Sequence, residues 1–188
     1  MSKGPILIIS GTNRPGSNAL KIAKTLENHY RNENAQVELF SLEELPAEAF
    51  DPASYAAKPP AVVTIQDRIL AASGLHVVTP EYNGSFPGVL KYFIDLLKFP
   101  ESFESKPVAY VGEAMGLWGG LRAVEQLQQI FGYRNAHSYP MRVFIPGVAK
   151  LIDPSGKLNN SEIDQRLAEQ AKGFIRYIKI HESAGLIV

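Results

Sequence analysis

Cysteine is absent from the 188 residues. Without a thiol there are no disulfides, no thiolate nucleophile and no cysteine-ligated metal or iron–sulfur cluster, so any redox chemistry has to come from a bound cofactor. Excess charge is also missing, because 19 Lys and Arg balance 19 Asp and Glu. A general nucleic-acid binder needs a basic stripe that displaces counterions, and a carrier that docks by long-range attraction needs a strongly acidic surface. Neither is present. No apolar run approaches the length that spans a bilayer, and residues 1–5 lead into a short apolar run without the apolar core of a signal peptide. The expectation is a cytoplasmic protein with no membrane and no nucleic-acid partner. His29, His76, His137 and His181 lack metal-ligand spacing, and no G-x-S-x-G marks a serine nucleophile. Asp153-Pro154-Ser155-Gly156 lacks the later ligands of a calcium loop and reads as a turn. No metal site and no catalytic side chain are expected.

Apolar residues make up 45% of the chain and charged ones 20%, the balance of a soluble globular protein. No repeat, low-complexity stretch or linker divides it, so residues 1–188 are expected to form a single domain. Short apolar runs alternate with longer amphipathic ones. Ile6-Leu7-Ile8-Ile9-Ser10 reads as a strand covered on both faces. Further strands are expected over 37–40, 74–79, 107–112 and 137–143. Helices are expected over 18–31, 62–72, 89–98 and 120–131, with a last one capped by Ser161 and running to about 180. The β-branched run at Val62-Val63-Thr64-Ile65 lowers the propensity of the second helix, and the proline-rich stretch 45–60 reads as irregular. Five strands alternating with helices predict an α/β fold: a flavodoxin-like doubly wound parallel sheet of order 2-1-3-4-5 with helices on both faces. Ligands of such sheets bind beyond the carboxyl ends of the strands, where the winding reverses.

The loop at the first of those ends is Gly11-Thr12-Asn13-Arg14-Pro15-Gly16-Ser17-Asn18. Thr12 and Ser17 offer hydroxyls, Asn18 an amide, and Arg14 a fork suited to phosphate oxygens. The loop opens onto a helix N-terminus, which favours an anion. It has neither the Lys of a Walker loop nor the G-x-G-x-x-G spacing of a dinucleotide fingerprint. A plain strand-to-helix turn capped by Ser17 remains the alternative. The loop after the third strand, Thr79-Pro80-Glu81-Tyr82-Asn83-Gly84-Ser85-Phe86-Pro87-Gly88, combines Pro and Gly so that successive amides can face a flat ring.

Together these two loops resemble the NAD(P)H-dependent FMN reductase family, whose relatives include quinone, azo-dye and chromate reductases. The likeness spans residues 6–131. It implies that Thr12, Arg14, Ser17 and Asn18 hold the FMN phosphate and that Pro80, Glu81, Tyr82, Asn83 and Gly84 hold the ring edge. It further implies that backbone at Ala114, Met115 and Gly116 contacts the ring from the third loop. Two departures stand out. Ser17 and Asn18 are adjacent where many members have an intervening residue, and Glu113 stands where members usually have a small residue. Glu113 is therefore expected to face solvent or a partner subunit. Trp118 is expected to roof the flavin, to cover a subunit contact, or to be an ordinary surface or core tryptophan.

The resemblance implies FMN as cofactor, NADPH or NADH as co-substrate and a small-molecule electron acceptor. NAD(P)H gives hydride to flavin N5 and leaves before the acceptor enters the same pocket, a cycle that needs no acid–base residue. Competing readings are a flavodoxin-type electron carrier and a flavin-binding regulatory protein without turnover. A homodimer or homotetramer is also implied, with Phe86, Tyr92, Phe99 and Phe103 as candidate interface aromatics and core packing as the alternative for Phe99. The apolar end Leu186-Ile187-Val188 either joins that interface or frays.

Overall fold

The structure is a computed structural model that describes residues 4–186. Its five strands are β1 (Ile6–Ser10), β2 (Val37–Ser41), β3 (Gly74–Pro80), β4 (Pro107–Ala114) and β5 (His137–Pro146). They pair in parallel in the order β2-β1-β3-β4-β5, as the alternation of elements predicts. β1 and β3 are buried along their whole length and β4 as far as Glu113, which is why they are the most apolar runs in the chain.

Five helices connect the strands: α1 (Asn18–Asn32), α2 (Pro60–Ala71), α3 (Gly88–Leu96), α4 (Leu121–Tyr133) and α5 (Ser161–Ser183). On one face of the sheet α1 and α5 pack Ala19, Ile22, Leu26, Leu167 and Phe174 against Ile6 and Ile8 of β1. On the other face α2, α3 and α4 bring Ile69, Leu90, Phe93 and Leu127 to Leu7 and Ile9. Alternate residues of one strand thus feed two separate cores. Removing the side chain of a fully buried Leu26 or Leu127 costs about 2–5 kcal/mol in such a core.

The second helix forms where it was expected, and two details elsewhere differ from the sequence-based expectation. α2 forms despite its β-branched run, because Pro60 suits the first helical turn and Val62, Ile65 and Ile69 all bury on one side; packing outweighs a propensity deficit of a few tenths of a kcal/mol per residue. Lys106 then closes the C-terminal end of α2, donating from Nζ to Ala72 O at 2.6 Å and Leu70 O at 3.3 Å. The stretch 45–60 expected to be irregular holds two short 3-10 turns, Ala47–Phe50 and Pro52–Tyr55, with a third, Leu42–Glu44, just before it. The cap of α5 is Asn160, not Ser161: Asn160 is extended and its side-chain oxygen accepts from Ile163 N at 2.9 Å.

Two of the four aromatics named above are committed inside the chain. Phe103 is buried against Phe131, and Tyr92 stacks on Phe50 while donating to Ala49 O at 2.8 Å. Phe99 is exposed beneath the guanidinium of Arg134, and Phe86 is half-buried. Leu186 is exposed, while Ile187 and Val188 lie outside the described residues. Among the described residues no helix is long and apolar enough to cross a membrane, and no group of three or more His, Asp or Glu is placed to hold a metal.

Candidate functional site

After β1 the chain turns to one side of the sheet to make β2, and after β2 it crosses to the other side to make β3. The loops following β1 and β3 therefore diverge and leave a crevice at the carboxyl ends of the strands. A cavity of about 710 Å³ lies there, walled by the loops after β1, β3 and β4. That is ample for a small-molecule cofactor, whose sites run from about 300 to 1,000 Å³.

The first loop contributes Arg14, Ser17 and Asn18 to the wall. Ser17 caps α1, accepting from Leu20 N at 3.2 Å, so the plain-turn reading is realised as a local fact. It does not exhaust the loop. The amides of Gly16, Asn18 and Ala19 make no hydrogen bond among the described residues, and the Arg14 side chain is exposed without a partner among them. Free donors and a free cation at a helix N-terminus make a site for an anion. Thr12 is not at the wall. It is 1% exposed and lies beneath the loop, its hydroxyl accepting from Arg14 N and 3.3 Å from the Tyr82 hydroxyl. It braces the first loop against the second.

Pro80, Glu81, Tyr82, Asn83 and Gly84 all reach the wall from the second loop. Asn83 and Gly84 form a two-residue hairpin, both with positive φ, closed by Tyr82 N to Ser85 O at 2.8 Å and Ser85 N to Tyr82 O at 3.1 Å. The hairpin consumes the amides of Tyr82 and Ser85, and Glu81 N donates to Glu113 O at 3.0 Å. Between Glu81 and Ser85, only Asn83 and Gly84 keep amides that donate to nothing among the described residues, fewer than the sequence suggests.

The third loop brings Ala114, Met115 and Gly116 to the wall, with Trp118 at its mouth and 55% exposed. Gly119 and Gly120 hold this loop down: a Cβ on Gly120 would sit 2.5 Å from Glu113 N, and both residues have positive φ. Glu113 does not face solvent, which was one of the two settings expected for it. β4 continues two residues past Gly112, so Glu113 is still in the ladder, between Pro80 of β3 and Ile145 of β5. Its side chain is 5% exposed at the cavity wall, and burial pushes its carboxyl up to about 7.

Sequence reading missed the part played by α4. Arg122 donates to Glu81 Oε1 at 2.9 Å, and Gln126 donates to Gly84 O at 3.1 Å while accepting from Ser85 Oγ at 2.6 Å. Their i, i+4 spacing puts both on one side of the helix, which is the only trace they leave in the sequence. The other oxygen of Glu81 is buried without a partner.

Comparison with known proteins identifies the family of the chain. A family model described as NADPH-dependent FMN reductase matches residues 5–150. A quinone reductase of Escherichia coli is 30% identical over 185 residues, covering 93% of this chain and 97% of that protein. The NADH:(hydroxy)cinnamate reductase subunit CrdA of Vibrio ruber is 30% identical over 180 residues, covering 94% and 86%. The solved flavoenzyme FerB of Paracoccus denitrificans superposes with a TM-score of 0.77 at 22% identity, over 96% of this chain and 99% of that one, a likeness of fold. On its match to the family model and to full-length relatives, the chain belongs to the NADPH-dependent FMN reductase family.

Proposed function

We propose that the chain, as a single FMN-binding domain, is an FMN-dependent NAD(P)H oxidoreductase that passes electrons to a flat small-molecule acceptor of the quinone, azo or flavin class. One observation carries the reading: an anion-ready helix N-terminus and a hairpin with free amides open into the same cavity at the switch point of the sheet. The residues suit the cofactor. A terminal phosphate matches the free amides of Gly16 and Asn18 with Arg14, and a ring bearing carbonyl and imine acceptors matches the free amides of Asn83 and Gly84. Bound FMN supplies hydride transfer between nicotinamide and acceptor.

The protein's part is to bind and orient. Arg14, Ser17 and Asn18 anchor the phosphate end, and Thr12 supports them from below through Tyr82. Pro80 to Gly84 hold the ring edge, pinned from α4 by Arg122 and Gln126. Ala114, Met115 and Gly116 close the third side. Trp118 and Met115, both largely exposed at the mouth, offer apolar surface against which a flat acceptor stacks. The acceptor class follows the names of the relatives, among them quinone reductase and FMN-dependent NADPH-azoreductase. We also read the protein as cytoplasmic and as a homo-oligomer. The exposed rings of Phe99 and Tyr133, beside half-buried Phe86, supply apolar surface for a second copy.

The test is a visible spectrum of the purified protein loaded with FMN. Addition of NADPH or NADH under argon should bleach the flavin within the mixing time of a cuvette, and a quinone should restore it. Bleaching only through a separate reductase would favour the electron carrier, and a protein that takes up no FMN would end the proposal.

A further inference from the structure

Glu113 is the one buried carboxyl in the wall with neither oxygen engaged. Its side chain makes no hydrogen bond and no ion pair among the described residues, and it is 5% exposed. Its oxygens are not sealed from solvent as Glu81 Oε2 is at the same wall; the carboxyl opens into the cavity, where a bound molecule can replace water as its hydrogen-bond partner. We propose that the protonated carboxyl of Glu113 donates a hydrogen bond to the ring end of FMN, and that this chain therefore binds its cofactor more tightly when Glu113 carries its proton. The inference rests on the FMN reading given above.

Position selects the ring rather than the phosphate. Neighbouring strands lie about 4.8 Å apart, so β4 is roughly 10 Å from β1 across β3, and a phosphate held by the loop after β1 leaves the other end of the molecule near Glu113. Chemistry selects the protonated form. The ring presents carbonyl oxygens and imine nitrogens but a single N–H; a neutral carboxyl can donate to those acceptors, whereas a carboxylate only accepts. The charge environment leaves that form in place near neutral pH. Facing the same cavity are Arg14 from the first loop, Glu81 and Tyr82 from the second and Arg122 from α4, whose guanidinium is engaged by Glu81. β5 presents apolar Ile145 beside Glu113 in the ladder, and Val148 follows it at the wall. Burial alone raises the carboxyl to about 7, so the donor persists up to neutral pH and is lost above it.

Quenching of flavin fluorescence measures FMN affinity at constant ionic strength between pH 7 and 9, where the FMN phosphate is already fully ionised (its second pKa is about 6). For the native protein the dissociation constant should rise about tenfold from pH 7.5 to 8.5, and in weakly buffered solution near pH 8 about one proton should be taken up per FMN bound. Glu113→Gln keeps a neutral donor and should bind with an affinity that is flat over the same range. A native affinity independent of pH, or an unchanged slope in the Gln variant, would overturn the role of Glu113 while leaving the FMN reading intact. Proton uptake is measured on the native protein alone, so a variant that fails to fold does not decide the matter, and absence of uptake overturns the proposal. Failure of the native protein to bind FMN at any pH would instead remove the FMN reading itself.

Discussion

His76 on β3 and Glu113 on β4 are ionisable side chains buried on neighbouring strands, and the fold treats them in opposite ways. His76 is fully enclosed with both ring nitrogens bonded, Nδ1 2.7 Å from the Tyr30 hydroxyl and Nε2 3.2 Å from Gln170 Oε1. The Gln170 amide nitrogen is committed to Tyr110 O and Met141 O, both at 2.9 Å, so its oxygen faces the ring and requires the proton on Nε2. Nδ1 then accepts from Tyr30. The network is closed and neutral, with burial holding the imidazole down to about 3. Glu113 has no such closure and stands at the edge of a cavity. A buried polar group inside a satisfied network serves the fold, whereas one left open at a cavity wall marks a place for a ligand.

The comparison can be broken most severely at its closed half. His76→Ala should destabilise the protein by about 3–5 kcal/mol in urea melts at pH 7, since it opens a cavity and strands both Tyr30 and Gln170. FMN affinity should not change, because the network does not reach the cavity.

The pH dependences of the two groups run in opposite directions. An unfolded chain protonates His76 near 6.5, whereas the folded protein resists to about 3; stability is therefore lost as pH falls through that window. For Glu113 the unfolded chain ionises near 4.5 and the folded protein holds the proton to about 7. Stability is lost as pH rises from 4.5 to 7 and stays lower above it. Thermal or urea melts of Glu113→Gln should accordingly gain on the native protein by up to about 3 kcal/mol between pH 5 and pH 8.

Two smaller effects sharpen the contrast between binding and folding. Arg14→Ala should weaken FMN binding by about tenfold to a hundredfold, the worth of a charge-assisted phosphate contact, and leave the melting temperature of the FMN-free protein unchanged. Arg122→Ala should lower stability by less than about 1 kcal/mol, because its ion pair with Glu81 is half in solvent. A larger loss in either melt would mean that these side chains hold the fold rather than the site.

How much of this was legible in the chain differs from residue to residue. β1 matched residue for residue, since a strand buried on both faces is a bare apolar run. The loop after β3 was picked out by its Pro and Gly, but the tight hairpin at Asn83-Gly84 was not, although few dipeptides accept two positive φ values in succession. Glu113 was misread for want of two residues of strand: ending β4 at Gly112 puts the next side chain in a loop, while continuing it puts that side chain between β3 and β5. Thr12 was grouped with its neighbours in the loop, although its short side chain turns inward to Tyr82, 70 positions away. Arg122 and Gln126 left no local signal beyond their i, i+4 spacing, because their partners are loop residues some forty positions earlier.

The sequence by itself determined the alternation of strands and helices, the absence of thiol chemistry, and the two loops with the donors for a phosphate and a ring. These are local properties, set by side-chain period, turn stereochemistry and composition. Only the tertiary structure decided which amides remain free, which carboxyl stands at the cavity wall without a protein partner, and that three loops separated by some sixty to thirty residues share one cavity. Those outcomes depend on strand order and register, and a shift of a residue or two at the end of one strand separates a solvent-facing glutamate from one enclosed at the cavity wall.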